Sequence, residues 1–150
     1  MKKNGHTKSV LNFQGNTEEA FNFYKSVFGG EFSAMRFKDM PSCDGPDAQI
    51  SEADGDKIMH ISLPIGNGSI LMATDALELM GQTLTQGNNH YIHIGVESKE
   101  EADKFYNALS EGGKAEMPIA DTFWGSYFGC IDDKFGVKWM IDYTAAAENS

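Results

Sequence analysis

A histidine in the middle of an apolar stretch is the residue of this sequence best suited to chemistry. The stretch 57–63 alternates like a β-strand with two different faces. The face predicted to pack on a core consists of Met59, Ile61 and Leu63. The opposite face consists of Ile58, His60 and Ser62.

His60 is the candidate catalytic residue because a neutral imidazole both donates and accepts a hydrogen bond near neutral pH. On a face that lines a pocket, it would act as a general acid–base or as a group that orients a ligand. The alternative is a structural histidine whose nitrogens are satisfied by backbone or tyrosine groups nearby.

Other polar and aromatic side chains occupy strand positions that alternate with apolar ones, or lie beside a turn glycine. Trp124 precedes Gly125, and a glycine next to a large ring leaves room at the rim of a pocket. The predicted ligand-pocket residues are Asn12, Gln14, Ser62, Tyr91, His93, Trp124 and Tyr127. Phe128 and Trp139 are expected in the core instead.

The charge balance excludes several classes of function. The chain has 22 acidic and 12 basic residues, a net charge of -10, and a single arginine, Arg36. Nucleic-acid binding needs clustered Lys and Arg, so no nucleic-acid partner is expected.

No apolar run reaches the roughly 20 residues that cross a bilayer, so no membrane partner is expected and the protein is predicted to be cytoplasmic. Cys43 and Cys130 are far apart and form no Cys-x-x-Cys motif.

The elements that would position these residues follow from periodicity and turn signals. Asn16, with Glu19 three residues later, predicts a helix N-terminus, and Gly29 predicts its end. Ser98 and Glu101 form a second capping box. Strands are predicted at 9–14, 31–38, 57–63, 69–75, 88–97, 115–119, 122–131 and 137–143, and the segment 39–56 is predicted as a long loop with at most one helical turn.

An internal repeat relates the two helices. Glu18-Glu19-Ala20 with Phe23-Tyr24 recurs 82 residues later as Glu100-Glu101-Ala102 with Phe105-Tyr106. The chain is therefore predicted to be α+β, with tandem βαβββ modules at 8–76 and 88–144, a connector at 77–87 and a tail at 145–150. A sheet with a helix on one face leaves the other face bare, so the modules are expected to form a curved mixed sheet with a concave pocket and the helices outside.

This pattern resembles the vicinal oxygen chelate superfamily, which includes glyoxalases, bleomycin resistance proteins and extradiol dioxygenases, and within it the PhnB-like branch. The resemblance spans Val10 to Tyr143. Its motifs are Phe13-Gln14-Gly15-Asn16-Thr17-Glu18-Glu19-Ala20, Phe23-Tyr24, Phe28-Gly29-Gly30, Met59-His60, Thr122-Phe123-Trp124-Gly125 and Asp133-Lys134-Phe135-Gly136-Val137-Lys138-Trp139-Met140.

The resemblance implies a divalent metal held from the first and last strands of each half, but the residues here differ. The last-strand positions are Met72 and Met140, whose thioethers are poor ligands for a hard divalent ion. The first-strand positions fall near Val10 or Asn12 and on Tyr91. No metal ligand is therefore assigned, and a divalent metal is disfavoured as a cofactor. A displaced site of His60 and His93 with a carboxylate is the alternative, and the candidate carboxylates are Asp75, Glu97 and Asp142.

The function implied is a small-molecule-binding, glyoxalase-like protein, with His60 in the pocket of a metal-independent enzyme. The alternatives are a non-catalytic sequestering protein of the resistance type and a metal-dependent lyase, isomerase or dioxygenase. The expected partners are an unidentified small organic ligand and a second copy of the chain in a homodimer.

Overall fold

The chain folds into two compact units, each with its own four-stranded sheet. A computed structural model describes residues 8–39, 51–66, 68–78 and 81–145. The units are Met1–Thr85 and Gln86–Ser150. Most of the predicted loop 39–56, part of the connector 77–87 and most of the tail 145–150 lie outside the described residues.

The first unit has the order βαβββ, with two short helical turns between its second and third strands. Its elements are β1 (Ser9–Phe13), α1 (Thr17–Phe28), β2 (Ser33–Arg36), a 3-10 turn (Phe37–Asp39), α2 (Glu52–Gly55), β3 (Ile58–Gly66) and β4 (Ser69–Asp75). The sheet order is β1-β4-β3-β2. Strand β1 pairs with β4 in parallel, and the other pairs are antiparallel.

The second unit repeats this topology. Its elements are β5 (Ile92–Gly95), α3 (Lys99–Ser110), β6 (Lys114–Asp121), β7 (Ser126–Asp132) and β8 (Lys138–Thr144). The sheet order β5-β8-β7-β6 again joins the first and last strands in parallel. The α+β class and the tandem βαβββ topology are therefore confirmed, with the strands divided between two four-stranded sheets. No helix within the described ranges is long and apolar enough to cross a membrane.

Each helix covers one face of the sheet in its own unit. In the first unit Phe21 and Tyr24 of α1 are fully buried, as are Ile61 and Leu63 of β3. In the second unit Tyr106 of α3 lies over β7, where a side chain at Gly129 would approach its ring to 2.7 Å. The opposite, helix-free faces carry the exposed side chains of His60 in the first unit and His93 in the second.

Strand β3 departs from the predicted alternation at its start. Ile58 was expected beside His60 but is buried, while Met59 is only half-buried. The pairing with β2 shifts at this point, since Met35 lies opposite His60 and Arg36 lies opposite Ile58. Such a bulge inserts one extra residue, so the side chains before it change face. The predictions for His60, Ile61 and Leu63 are unaffected.

The start of α1 is capped by a residue that the sequence motif does not contain. Asn16 is the N-cap, but its side chain makes no capping hydrogen bond. The Asp75 carboxylate at the end of β4 accepts hydrogen bonds from the backbone N–H groups of Gly15 and Thr17. The predicted Asn16 capping box is therefore wrong, whereas Ser98 caps α3 as predicted by accepting from the N–H of Glu101.

The segment 122–131, predicted as one strand, begins with a turn. The Oγ1 atom of Thr122 donates to the carbonyl oxygen of Ser126, and Gly125 has a φ of 92°. A positive φ suits glycine and ends the ladder, so β7 begins only at Ser126. Trp124 is consequently a residue of the β6–β7 turn.

Candidate functional site

His60 lies on the helix-free face of the first unit and is exposed. Its register partner on β2 is Met35, which is 45% exposed. The imidazole makes no hydrogen bond within the described part of the chain. Because its backbone is held in the centre of a strand, His60 presents a free imidazole from a rigid support.

The residues around His60 form a mixed polar and apolar surface. Thr74 of β4 and Asn12 of β1 are register partners on the same face. Ser62 lies opposite Met72, which in turn lies opposite Val10. Two predicted pocket residues, Asn12 and Ser62, are thus brought to the face of His60.

Gln14 follows the end of β1 and is exposed. The structure does not bring it into the paired part of the sheet.

Asp75 is excluded from a site with His60 because it points to the opposite face of the sheet. It is 1% exposed. Its Oδ1 atom lies 2.6 Å from Oγ1 of Thr17 and also accepts from two backbone N–H groups, while Oδ2 accepts from the N–H of Ile58 at 2.8 Å. All of its acceptor capacity serves the joint between α1, β3 and β4, so the suggestion of Asp75 as a metal ligand is wrong.

The helix-free face of the second unit contains a histidine–carboxylate pair. His93 is exposed, and its Nε2 atom lies 3.2 Å from Oδ2 of Asp142. Oδ1 of Asp142 accepts a hydrogen bond from Oγ1 of Thr144 at 3.2 Å. A carboxylate held from both sides orients the imidazole, which is the arrangement that prepares a histidine to accept a proton.

A polar network lies on the same face, next to His93. The hydroxyl of Tyr91 donates to Oε1 of Glu116 at 2.7 Å. The Nζ atom of Lys138 donates to Oε2 of Glu116 at 2.9 Å and to Oδ1 of Asp132 at 2.6 Å, and it lies 4.9 Å from the centroid of the Tyr91 ring.

The contacts within this network shift the pKa values of its members. The hydrogen bond to Glu116 raises the pKa of Tyr91, and the hydrogen bonds from Tyr91 and Lys138 lower the pKa of Glu116. The hydrogen bonds to Asp132 and Glu116 raise the pKa of Lys138. Within the network the positive charge of Lys138 is balanced by two carboxylates, and Tyr91 is a neutral phenol at physiological pH.

Aromatic residues lie at the β6–β7 turn and at the start of β7. Trp124 is 56% exposed, and its ring centroid lies 5.8 Å from that of Phe128 and 5.0 Å from that of Phe123. Phe128 is half-buried and is the register partner of Asp142 on the helix-free face. The expectation of a core position for Phe128 is therefore corrected, while Trp139, which is 0% exposed, is confirmed in the core.

Tyr127 points the other way. Its hydroxyl donates to Oδ1 of Asp103 on α3 at 2.6 Å, and this hydrogen bond raises the pKa of the phenol. Adjacent strand residues face opposite sides of a sheet, so Tyr127 and Phe128 cannot both line the helix-free face. The structure therefore places Tyr127 against α3, and Phe128 occupies the helix-free face on which the sequence predicts Tyr127.

The donor atoms at the family's metal positions do not fit a hard divalent ion. Val10 lies opposite Met72 in the first unit, and His93 lies opposite Met140 in the second. The first-strand residue opposite Met140 is thus His93, whereas Tyr91, the residue that the sequence predicts for this position, precedes β5. One imidazole and two thioethers provide too few hard donors. Residues 8–39, 51–66, 68–78 and 81–145 contain no cluster of three or more His, Cys, Asp or Glu side chains that could hold a metal.

Three polar residues of the second unit had no assigned partners in the sequence. Glu116 and Lys138 were given no role, and Asp142 was considered only as a metal ligand. The contacts Tyr91–Glu116, Lys138–Glu116 and His93–Asp142 join residues that lie 25, 22 and 49 positions apart along the chain. For Asp142 the sequence contains one indication. It lies two residues after Met140, so strand alternation predicts that both side chains lie on the same face of β8.

Comparison with known proteins agrees with this architecture. Residues 7–141 match the sequence model of the Glyoxalase/Bleomycin resistance protein/Dioxygenase superfamily. Protein YjdN of Escherichia coli K12 is 31% identical over 137 residues, which cover 88% of this chain and 90% of that protein.

Solved structures show the same fold. Protein PA1353 from Pseudomonas aeruginosa is 36% identical with a TM-score of 0.75, covering 93% of this chain and 99% of that one. A PhnB protein from Bacillus cereus, named as a candidate 3-demethylubiquinone-9 3-methyltransferase, is 25% identical with a TM-score of 0.68, covering 93% and 100%. The chain belongs to the Glyoxalase/Bleomycin resistance protein/Dioxygenase superfamily, in its PhnB-like branch.

Proposed function

We propose that this protein binds a small organic molecule on the helix-free faces of its sheets, and that His60 acts there as an acid–base or ligand-orienting group. The observation that carries the proposal is the contrast between the two faces of the first sheet. On the face under α1 the strand side chains Ile61, Leu63, Leu71 and Ala73 are buried. The other face presents a histidine (His60), an amide (Asn12) and two hydroxyl groups (Ser62 and Thr74) among exposed apolar side chains. A surface of this mixed composition is typical of small-molecule sites.

The apolar part of this surface would supply most of the binding energy. Val10 is 57% exposed and Met35 is 45% exposed, so both can lose apolar area to a ligand. The imidazole of His60 would supply direction, since it donates from one nitrogen and accepts at the other. Membership of a superfamily named for glyoxalases, resistance proteins and dioxygenases supports a small-molecule ligand.

A methyltransferase function, as named for the Bacillus cereus protein, is not favoured by the geometry at the end of β1. Folds that bind nucleotide-like cofactors at the first strand–helix turn use its free backbone N–H groups. Here the N–H groups of Gly15 and Thr17 already donate to Asp75, at 3.0 and 3.1 Å. That turn is therefore closed to a cofactor.

The proposal is tested by screening small aromatic and dicarbonyl compounds for an increase in melting temperature, followed by calorimetric titration of each hit. We expect His60→Ala to weaken binding of a hit about tenfold, the value of one net hydrogen bond. His90→Ala, an exposed histidine before β5, is the matched control and should bind like the wild type. Consumption of the hit over time would distinguish an enzyme from a sequestering protein.

Two results would contradict the role given to His60. One is a hit whose affinity is unchanged by His60→Ala, which would place the ligand elsewhere. The other is a stoichiometric divalent metal that remains bound through purification and is lost in His60→Ala, measured by native mass spectrometry. That result would make His60 a metal ligand.

A further inference from the structure

The His93–Asp142 pair is a polar feature that lies entirely within the second unit. Strands β5 and β8 run in parallel, and Gly95 lies opposite Asp142. His93, two residues earlier on β5, reaches Oδ2 of Asp142 with Nε2 at 3.2 Å. Because Thr144 donates to the other carboxylate oxygen, Asp142 is held on both sides.

The contact with Asp142 assigns different roles to the two nitrogens of His93. An ionised carboxylate only accepts hydrogen bonds, so Nε2 is the nitrogen that donates to Asp142, and Nδ1 is the acceptor in the neutral tautomer. The side chain of His93 is 54% exposed. Within the described residues Nδ1 has no hydrogen-bond partner. The sheet therefore presents one oriented acceptor to the solvent.

Open space and an aromatic wall lie next to this acceptor. A Cβ atom built at Gly95 would meet no atom within 4 Å apart from its chain neighbours. On the other side of Asp142, its register partner Phe128 contributes a half-buried ring that contacts Trp124. Because β8 separates Gly95 from Phe128 by two strand spacings, roughly 10 Å, a flat ring would reach the aromatic cluster by extending from Gly95 across Asp142. Aromatic pairs add to the energy of burial.

The charge of this face selects against anions. Lys138 lies on this face, and its Nζ atom is already bound to Glu116 and Asp132. Asp142 adds a third carboxylate, and its side-chain contacts are the imidazole of His93 and the hydroxyl of Thr144. The three carboxylates of this face, those of Glu116, Asp132 and Asp142, outnumber the cations Lys138 and Lys114, so a carboxylate or phosphate on the ligand would meet net negative charge.

We propose that the His93–Asp142 pair and the space above Gly95 form a subsite for an uncharged aromatic alcohol or phenol. The hydroxyl group donates to Nδ1 of His93, and the ring extends from Gly95 across Asp142 toward Phe128 and Trp124. Asp142 is a positioning residue, since it acts on the ligand only through the imidazole. The inference rests on the proposed small-molecule function and specifies the ligand class for one of the two faces.

The test compares three ring compounds of similar size: 4-methylphenol, 4-methylanisole and 4-methylbenzoate. Affinity is measured by NMR titration of the isotope-labelled protein. We expect the phenol to bind about tenfold more tightly than the anisole, which cannot donate, and the benzoate to bind most weakly. The largest shifts should fall on the amides of β5, β8 and the 122–125 turn.

Variants then locate the hydrogen bond. His93→Leu should reduce the affinity for the phenol to that of the anisole, and Asp142→Asn should weaken it severalfold while leaving the anisole unchanged. Gly95→Leu should block all three compounds, because its side chain fills the open space. His90→Gln is the matched control, and the NMR spectrum of each free variant shows whether it is folded.

The outcomes separate this inference from the proposed function. Equal binding of phenol and anisole, or binding of the phenol that is lost in His60→Ala but retained in His93→Leu, would overturn the subsite and leave the proposed function standing. If none of the three compounds binds to the wild type, the subsite is also overturned, while hits from the wider screen with His60→Ala still decide the proposed function.

Discussion

Replacing Asp75 tests whether a buried carboxylate joins the three elements of the first unit. Asp75 is 1% exposed and accepts four hydrogen bonds, from the N–H groups of Gly15, Thr17 and Ile58 and from the hydroxyl of Thr17. Asp75→Ala leaves the two buried N–H groups, those of Thr17 and Ile58, without a partner. At about 1–3 kcal/mol for each, the free energy of unfolding should fall by about 2–6 kcal/mol.

Asp75→Asn separates the hydrogen bonds from the shape of the side chain. The amide oxygen can keep the three bonds made by Oδ1, but the NH2 group would then face the N–H of Ile58. The buried N–H of Ile58 then has no acceptor, so the free energy of unfolding should decrease by about 1–3 kcal/mol, roughly half of the alanine effect. The exposed Asp39, whose Oδ2 accepts from the N–H of Arg36, is the control, and Asp39→Asn should change stability by less than about 0.5 kcal/mol.

The assay is urea unfolding followed by far-ultraviolet circular dichroism, since both tryptophans, Trp124 and Trp139, lie in the second unit. The reasoning would be refuted if Asp75→Ala unfolded at the same urea concentration as the wild type. It would also fail if Asp75→Asn were more damaging than Asp75→Ala, because loss of both acceptor oxygens, which together accept four hydrogen bonds, cannot be milder than loss of one.

Two further predictions concern the second unit. Gly129→Ala should destabilise the protein by about 1–3 kcal/mol, because the new Cβ would lie 2.7 Å from the Tyr106 ring and 2.8 Å from Cα of Ile119. Gly95→Ala is the control, since its Cβ would meet nothing within 4 Å, and its stability should stay within about 0.5 kcal/mol of the wild type. Both variants are measured by thermal and urea unfolding. Because the fold lowers the pKa of Glu116 from its ordinary 4.5, its contacts with Tyr91 and Lys138 stabilise the folded state above that pH, and this contribution is lost as the pH falls through the lowered value. The stability of Glu116→Gln measured between pH 6 and 3 should therefore fall less steeply than that of the wild type, and parallel curves would contradict the prediction.

The repeat and most of the element order could be predicted because they depend on local patterns. Apolar alternation, the Ser98 capping residue and the glycines that end the helices all act within a few residues of the structure they determine. The same alternation put His60 and His93 on the faces that the structure leaves free of helix. The PhnB-like resemblance added further support, since its motifs cover nearly the whole chain.

The candidate site could be predicted only in part, because its contacts join residues that are distant in the sequence. The cap of α1 comes from Asp75, 58 residues after Thr17, so the local motif at Asn16 gave no warning of it. The bulge at Met59 arises from the pairing with β2, and it moved Ile58 to the core. Tyr127 and Phe128 were both aromatic candidates, but only the start of β7 after the turn decides which one faces α3.

The sequence by itself therefore determined the two βαβββ modules, the acidic surface and the positions of the histidines within their strands. Hydrophobic periodicity and turn residues are properties of short segments, so they predict secondary structure without knowledge of which segments pair in the fold. Tertiary structure alone decided that Asp75 caps a helix and that Asp142 orients His93. The physical reason is that a carboxylate acts through whichever donors the sheet register brings within hydrogen-bond distance of it. His60 keeps its predicted face, and His93 gains a partner that no local pattern contains.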